Sequence, residues 1–318
     1  MISSIYFPSF RQVGLDALKA GGNAVDAVVA AAFCQGVVSP AHSGLGGGGF
    51  AIVHDHKFMN SYGYDFRETA PFAATPDMLA GKSGQDILAS GVPGQLKGLA
   101  ALHKQHGQLP WKDLVEPSVH LAREFGVSKA MEVEVLQKFS PENFTDPTLR
   151  SVVLRPDGTF KTTEDNMTLP GMVETLLAIQ QDPDALYTGV LRKQFVQDVK
   201  SLGGRITEAD LQHYNVSMPE VLVSKLKDLT LIGLPPPSAG AIIALILNVA
   251  DKLGWQKSEG RNAKVYHQML EAFKFGYAHK GEMLHLSVKK IYVLNHPVAK
   301  KTLIYIAMHC PLFDMEKC

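Results

Sequence analysis

Residues 21–71 read GGNAVDAVVAAAFCQGVVSPAHSGLGGGGFAIVHDHKFMNSYGYDFRETAP. Gly21 and Gly22 end the helix suggested by Leu15, Ala17 and Leu18, because glycine enters the left-handed conformation that a helix end often needs. Asn23 is placed to cap the next helix, and Asp26 sits in its first turn, where a carboxylate suits the positive end of the helix dipole. From Ala24 to Phe33 the residues are almost all Ala and Val, so this helix is apolar nearly all round and is expected to be buried.

The glycine run Gly46 to Gly49 invites comparison with a phosphate-binding loop, which needs glycines that follow a strand and open a helix. Here the order is reversed: a helix precedes the run, the β-rich Phe50-Ala-Ile-Val-His-Asp follows it, and no lysine stands where a phosphate cradle would place one. The alternative is a close backbone approach between packed elements, which glycine permits because it has no Cβ. After the glycines the period changes to two, and residues 58–66 are expected to pair with 50–55 across His56-Lys57. Arg67 then leaves a strand end onto a loop, where rigid scaffolds display functional side chains. Its guanidinium offers a planar fork that matches a carboxylate. The competing reading is a surface pair with Asp65 or Glu68.

Lys plus Arg equal Asp plus Glu at 31 each, so no global field attracts nucleic acid or an anionic membrane. An apolar content of 46% supports a substantial core, and nothing marks a linker. No stretch is long and apolar enough to span a bilayer. The three cysteines, Cys34, Cys310 and Cys318, make neither a disulfide framework nor a metal-ligand spacing, and Cys34 reads as a small core residue.

The run GGNAVDAVVAAAFCQGVVSPAHSGLGGGGF and the later DFRETAPFAATPDM resemble the large subunit of γ-glutamyltransferases (γ-glutamyltranspeptidases, glutathione hydrolases). So do ASGVPGQLKGL from Ala89, LPWKDLVEPSVHLAREFG from Leu109, DALYTG from Asp184, GGRITEADLQHY from Gly203 and LPPPSAGAI from Leu234. The likeness runs from about Gly14 to about Leu284, which implies a large-subunit region over 1–284 and leaves 285–318 as a divergent tail. The resemblance implies an α+β, αββα-type N-terminal-nucleophile hydrolase fold, of which this is the large-subunit part and hence an incomplete sandwich. It also implies a γ-glutamyl substrate such as glutathione, no metal or organic cofactor, and a small subunit cut from the same precursor. Arg67 matches the family arginine that holds the α-carboxylate of the γ-glutamyl group.

The family nucleophile is a threonine in a Thr-Thr-His or Thr-Ser-His context at the start of the small subunit. Thr162-Thr163 is followed by Glu164, and Thr302 by Leu303, so neither fits and the attacking hydroxyl is expected from a segment outside these residues. The alternative expectation is a catalytically inactive truncated homologue that acts as a binding partner of a small subunit. Relatives anchored outside the cell imply an extracellular or secretory location. MISSIYFPSFRQVG lacks signal-peptide features, so an anchor or export signal is expected to be missing from it. Sequons at Asn143, Asn166 and Asn215 are acceptors only on that route.

The remaining chain reads as scaffold. Helices are expected on both sides of Gly107-Gln-Leu-Pro110, the first with Leu96, Leu99, Ala100 and His103 on one face, the second with Leu114, Val115, Val119 and Ala122. Asp113, Glu116, Arg123 and Glu124 read as a solvated face, and His103, His106 and His120 lack metal spacing. Residues 140–168 read as loop around a minor strand, 170–179 as helix and 187–202 as helix ending at Gly203-Gly204. Thr207 to Asp210 form a capping box, 216–223 and 229–233 read as strands, and Ser238 is expected to cap a helix over 241–249 after three prolines. A last helix is expected over 265–283.

Overall fold

The structure is a computed structural model that describes residues 10–82, 86–144, 146–253, 260 and 262–280. In chain order its helices are α1 (Phe10–Lys19), α2 (Ala24–Val38), α3 (Pro40–Ser43), α4 (Gln95–His106), α5 (Trp111–Arg123), α6 (Pro147–Val153), α7 (Pro170–Gln181), α8 (Arg192–Ser201), α9 (Glu208–His213), α10 (Gly240–Lys252) and α11 (Ala263–Ala278). The strands are β1 (Phe50–Asp55), β2 (Asn60–Asp65), β3 (Phe125–Gly126), β4 (Asn166–Met167), β5 (Leu222–Leu226) and β6 (Leu229–Gly233). Among the described residues they form three two-stranded ladders, β1–β2, β3–β4 and β5–β6. Within those residues the chain divides into two compact units, one from 10–49 with 65–217, the other from 50–64 with 218–280.

The first unit is built on α2, against which α1, α4 and α5 pack, with α7 behind α5. Its start is fixed as expected: the Asn23 side chain accepts from the Val25 and Asp26 N–H groups, and Asp26 accepts in return from the Asn23 N–H. Asp26 is fully buried and also takes the Gln108 N–H, so the cap ties the helix to the α4–α5 corner. Asn23→Ala is therefore expected to cost about 1 kcal/mol, read as a lower urea midpoint. Val29, Ala30, Phe33, Cys34 and Val37 are buried, but Val28 is 57% exposed, so the helix is covered on most sides rather than all. Phe33 meets Trp111 edge to face at 5.3 Å, and the Trp111 indole donates to Ile179 O at 2.9 Å.

Cys34 has no exposed surface and lies 3.2 Å from Ser118 Oγ; burial pushes its thiol up to about 11, so it stays protonated at neutral pH. On α4 it is Leu102, not Ala100 or His103, that joins Leu96 and Leu99 in the core, whereas the expected face of α5 is buried throughout.

Three local expectations need correction in this unit. Residues 147–153 form helix α6 where a loop was expected, because Asp146 caps it by accepting the Leu149 N–H at 2.7 Å and Pro147 opens it. Helix α8 begins at Arg192, not near Tyr187, since the Asp184 carbonyl draws the N–H groups of Tyr187, Thr188 and Gly189 into a turn. Residues 216–221 are not strand: Pro219 interrupts them, and Ser217 bridges instead to Asp65. Gly203 ends α8 at φ +86°, and the Thr207–Asp210 box opens α9.

In the second unit the β1–β2 turn spans 56–59, longer than expected, because Asp55 Oδ1 accepts from both the Lys57 and Phe58 N–H groups and Met59 takes φ 51°. Helix α10 packs on β5, β6 and α11, burying Ala241, Ile242 and Leu245. Ser238 Oγ accepts from the Gly240 N–H and donates to Leu234 O, joining β6 to α10. The last helix, expected to run to 283, ends at Ala278 with His279 as its C-cap, while the expected tail 285–318 and Thr302 lie outside the described residues. No helix among the described residues is long and apolar enough to cross a membrane.

Candidate functional site

The glycine run and a distant tyrosine decide where Arg67 stands. The Phe66 N–H donates to Gly49 O at 2.9 Å, and Phe66 O accepts from the Gly49 N–H at 3.3 Å. A Cβ on Gly48 would stand 2.4 Å from Phe66 O and 3.0 Å from Arg67 Cα, so only glycine lets the run lie against this backbone. Gly47 O accepts from the N–H groups of Gly94 and Gln95 at 2.9 and 2.8 Å, at the start of α4. Those donors, which a phosphate-binding helix would aim at its ligand, are engaged by the chain itself. The run therefore makes a close backbone approach.

The Arg67 N–H donates to Asp65 Oδ1 at 3.0 Å, and Arg67 O accepts from the Tyr214 hydroxyl at 2.8 Å. Its Nη2 lies 3.2 Å from Glu68 Oε2, with side chains 51% and 26% exposed. The Glu68 pair considered from sequence is thus present, while Asp65 holds the backbone. Arg67 and Glu68 line a cavity of about 550 Å³ together with Thr69, Met78, Leu88 and Ser90. Burial pushes the Tyr214 phenol well above its ordinary value, Asp65 and Glu68 add to this, and Arg67 opposes it; the hydroxyl keeps the proton it donates.

The loop beyond Arg67 is tied down by Asp210, which accepts from the Phe72 N–H at 2.6 Å, the Thr207 N–H at 2.7 Å and the Thr207 hydroxyl at 2.6 Å. Burial pushes this carboxyl up, but those hydrogen bonds outweigh it and hold it below the usual range. A carboxyl depressed in the folded state adds stability that is complete above its unfolded pKa, near ~3.9, and lost as pH falls through the folded value. Asp210→Asn is accordingly expected to flatten the acid side of the pH–stability curve, measured as urea midpoints from about pH 5 downward.

Other polar residues considered from sequence serve the scaffold. Asp113, Arg123 and Glu124 are exposed. Glu116 accepts from Gln180, which draws its carboxyl down, and pairs with His120 at 3.1 Å. His103 Nε2 bonds Leu109 O at 2.7 Å. Thr162 sits in a turn held by the Arg155–Asp165 pair at 2.6 Å, and the Thr163 N–H donates to Glu132. Among the described residues no group of three or more His, Cys, Asp or Glu side chains is placed to hold a metal ion. Asn143, Asn166 and Asn215 are exposed. Tyr214 and Asp210, which fix the Arg67 segment and its loop, had no assigned site role in the sequence reading.

The family model described as Gamma-glutamyltranspeptidase matches residues 11–303, and so reaches past Leu284. Glutathione hydrolase 3 of Arabidopsis thaliana is 37% identical over 278 residues, covering 84% of this chain and 42% of the relative. Glutathione hydrolase proenzyme of Bacillus subtilis (strain 168) is 32% identical over 282 residues, 85% of this chain and 48% of the relative. The chain thus spans a little under half the length of the curated relatives it matches. The crystal structure of Helicobacter pylori gamma-glutamyltranspeptidase superposes with TM-score 0.80 at 30% identity, over 99% of this chain and 90% of that one. The Pseudomonas nitroreducens gamma-glutamyltranspeptidase complexed with L-DON gives 0.79 at 28%, over 97% and 92%. With these neighbours the α+β fold is of the N-terminal-nucleophile hydrolase type.

Proposed function

Because the chain belongs to the gamma-glutamyltranspeptidase family, we propose that it is the large-subunit portion of an enzyme that cleaves and transfers γ-glutamyl groups from donors such as glutathione. Arg67 holds the donor α-carboxylate. A threonine on a small-subunit segment attacks the γ-amide carbon, the amide C–N bond breaks, and the amine leaves with a proton. The acyl-enzyme then passes the glutamyl group to an amino acid, a dipeptide or water. The freed α-amine of that threonine serves as its base, and backbone donors of the same segment stabilise the tetrahedral oxyanion. No metal or organic cofactor takes part. Several of the curated relatives carry the word proenzyme in their names, which supports a precursor that yields both subunits. Family ancestry favours the extracellular face of the membrane or the secretory route.

The single observation that carries the role of Arg67 is its half-exposed guanidinium on a cavity wall, with the backbone on both sides pinned. Its pair with Glu68 does not compete strongly, because exposed ion pairs contribute only about 0–1 kcal/mol, less than a bidentate charge-assisted contact. The competing reading is an inactive homologue that binds a small subunit. Mass spectrometry of the natural product, with an assay of γ-glutamyl anilide hydrolysis, separates the two. A longer precursor carrying the threonine, together with anilide hydrolysis, is expected; the 318-residue species alone, without hydrolysis, would remove the enzyme reading.

A further inference from the structure

The contact that fixes the Arg67 carbonyl comes from far along the chain. Tyr214 follows α9 and is 5% exposed, and its hydroxyl donates to Arg67 O at 2.8 Å. Its ring stacks on Tyr187, with centroids 5.8 Å apart and planes 22° from parallel. Tyr187 is fixed in turn: its hydroxyl donates to Pro93 O at 3.0 Å and accepts the Lys97 N–H at 3.1 Å. Lys97 Nζ lies 5.0 Å from the Tyr187 ring centre and pairs with Asp184 at 2.5 Å. The Tyr214 hydroxyl also stands where a Cβ on Gly94 would come within 2.2 Å of it. A stacked pair of buried rings thus aims one proton at one carbonyl, the carbonyl of the residue whose side chain lines the cavity.

We infer, on the reading of Arg67 proposed above, that Tyr214 is a positioning residue for the donor carboxylate: by holding the Arg67 peptide it fixes where the guanidinium meets its ligand. A guanidinium at the end of a long side chain keeps a bidentate geometry only if its backbone origin is fixed, since oriented contacts lose strength with small displacements. Tyr214→Phe removes the hydroxyl and keeps the ring. Tyr187→Phe removes a hydroxyl of similar burial that does not touch the Arg67 peptide.

The test is phenylglyoxal modification of Arg67 in the full 318-residue chain, quantified by mass spectrometry of the Arg67 peptide, with L-glutamate added in steps as the protecting carboxylate. The half-protecting glutamate concentration is expected to rise about fivefold in Tyr214→Phe, the loss of one hydrogen bond's ordering. It should stay at the wild-type value in Tyr187→Phe. Equal half-protection in wild type and Tyr214→Phe would overturn the positioning role and leave the reading of Arg67 standing. Equal rises in Tyr214→Phe and Tyr187→Phe would also overturn it, by showing general loosening. No protection in the wild type would overturn the reading of Arg67 itself, and the role of Tyr214 with it.

Discussion

Gly98→Ala is expected to destabilise the protein by about 2–3 kcal/mol, toward the top of the range for overpacking a core. The sign is the informative part, because alanine in a helix interior normally gains about 1 kcal/mol over glycine. Gly98 lies inside α4, and a Cβ there would stand 2.1 Å from Phe66 Cγ and 2.5 and 2.6 Å from its two Cδ atoms. The Phe66 ring has nowhere to swing, being 6% exposed, and its backbone is bonded to Gly49 on both polar groups. Relief must come from moving residues 66–68, and with them Arg67. Urea unfolding reads the loss directly; a variant as stable as the wild type would mean that Phe66 is not held as described.

Arg67→Lys is expected to weaken binding of a γ-glutamyl donor by about tenfold to a hundredfold, since a hydrogen bond to a charged group is worth about 1.5–3 kcal/mol. Lysine keeps the charge and loses the fork, so it retains attraction without the second contact that orients the carboxylate. Arg67→Ala should lose more, because it also removes the charge. The measurement is the apparent affinity for a γ-glutamyl anilide in the assembled enzyme. An unchanged value in Arg67→Lys would rule out a bidentate grip. The Glu68 partner sharpens the expectation: a carboxylate already faces Nη2 at 3.2 Å, so the donor must replace or share that contact.

What was legible in the sequence is what is decided within one turn of backbone. The cap at Asn23, the box at Thr207 and the stop at Gly203 each rest on hydrogen bonds or a left-handed residue within a few positions, so residue types alone announce them. The role of Arg67 was legible only through the resemblance of DFRETAP to the family motif, since its neighbours Asp65 and Glu68 equally suit a surface pair. Helix α6 was missed because Asp146 and Pro147 belong equally to loop and helix-start vocabularies, and nothing local chooses between them. The start of β5 was misplaced because Ser217 answers to Asp65, a partner far back in the chain. Tyr214 lay beyond reach for the same reason: 147 residues separate it from the carbonyl it holds, and its chain neighbours show only a short capped helix. The glycine run shows the reverse case, since its order against helix and strand already argues against a phosphate loop.

A crystal structure of the assembled protein with bound L-glutamate addresses the role of Arg67 most directly. The expected result is an α-carboxylate held by both arms of the Arg67 guanidinium at about 2.7–2.9 Å, on the cavity wall beside Glu68. Glutamate bound elsewhere, with Arg67 still paired to Glu68 alone, would contradict it.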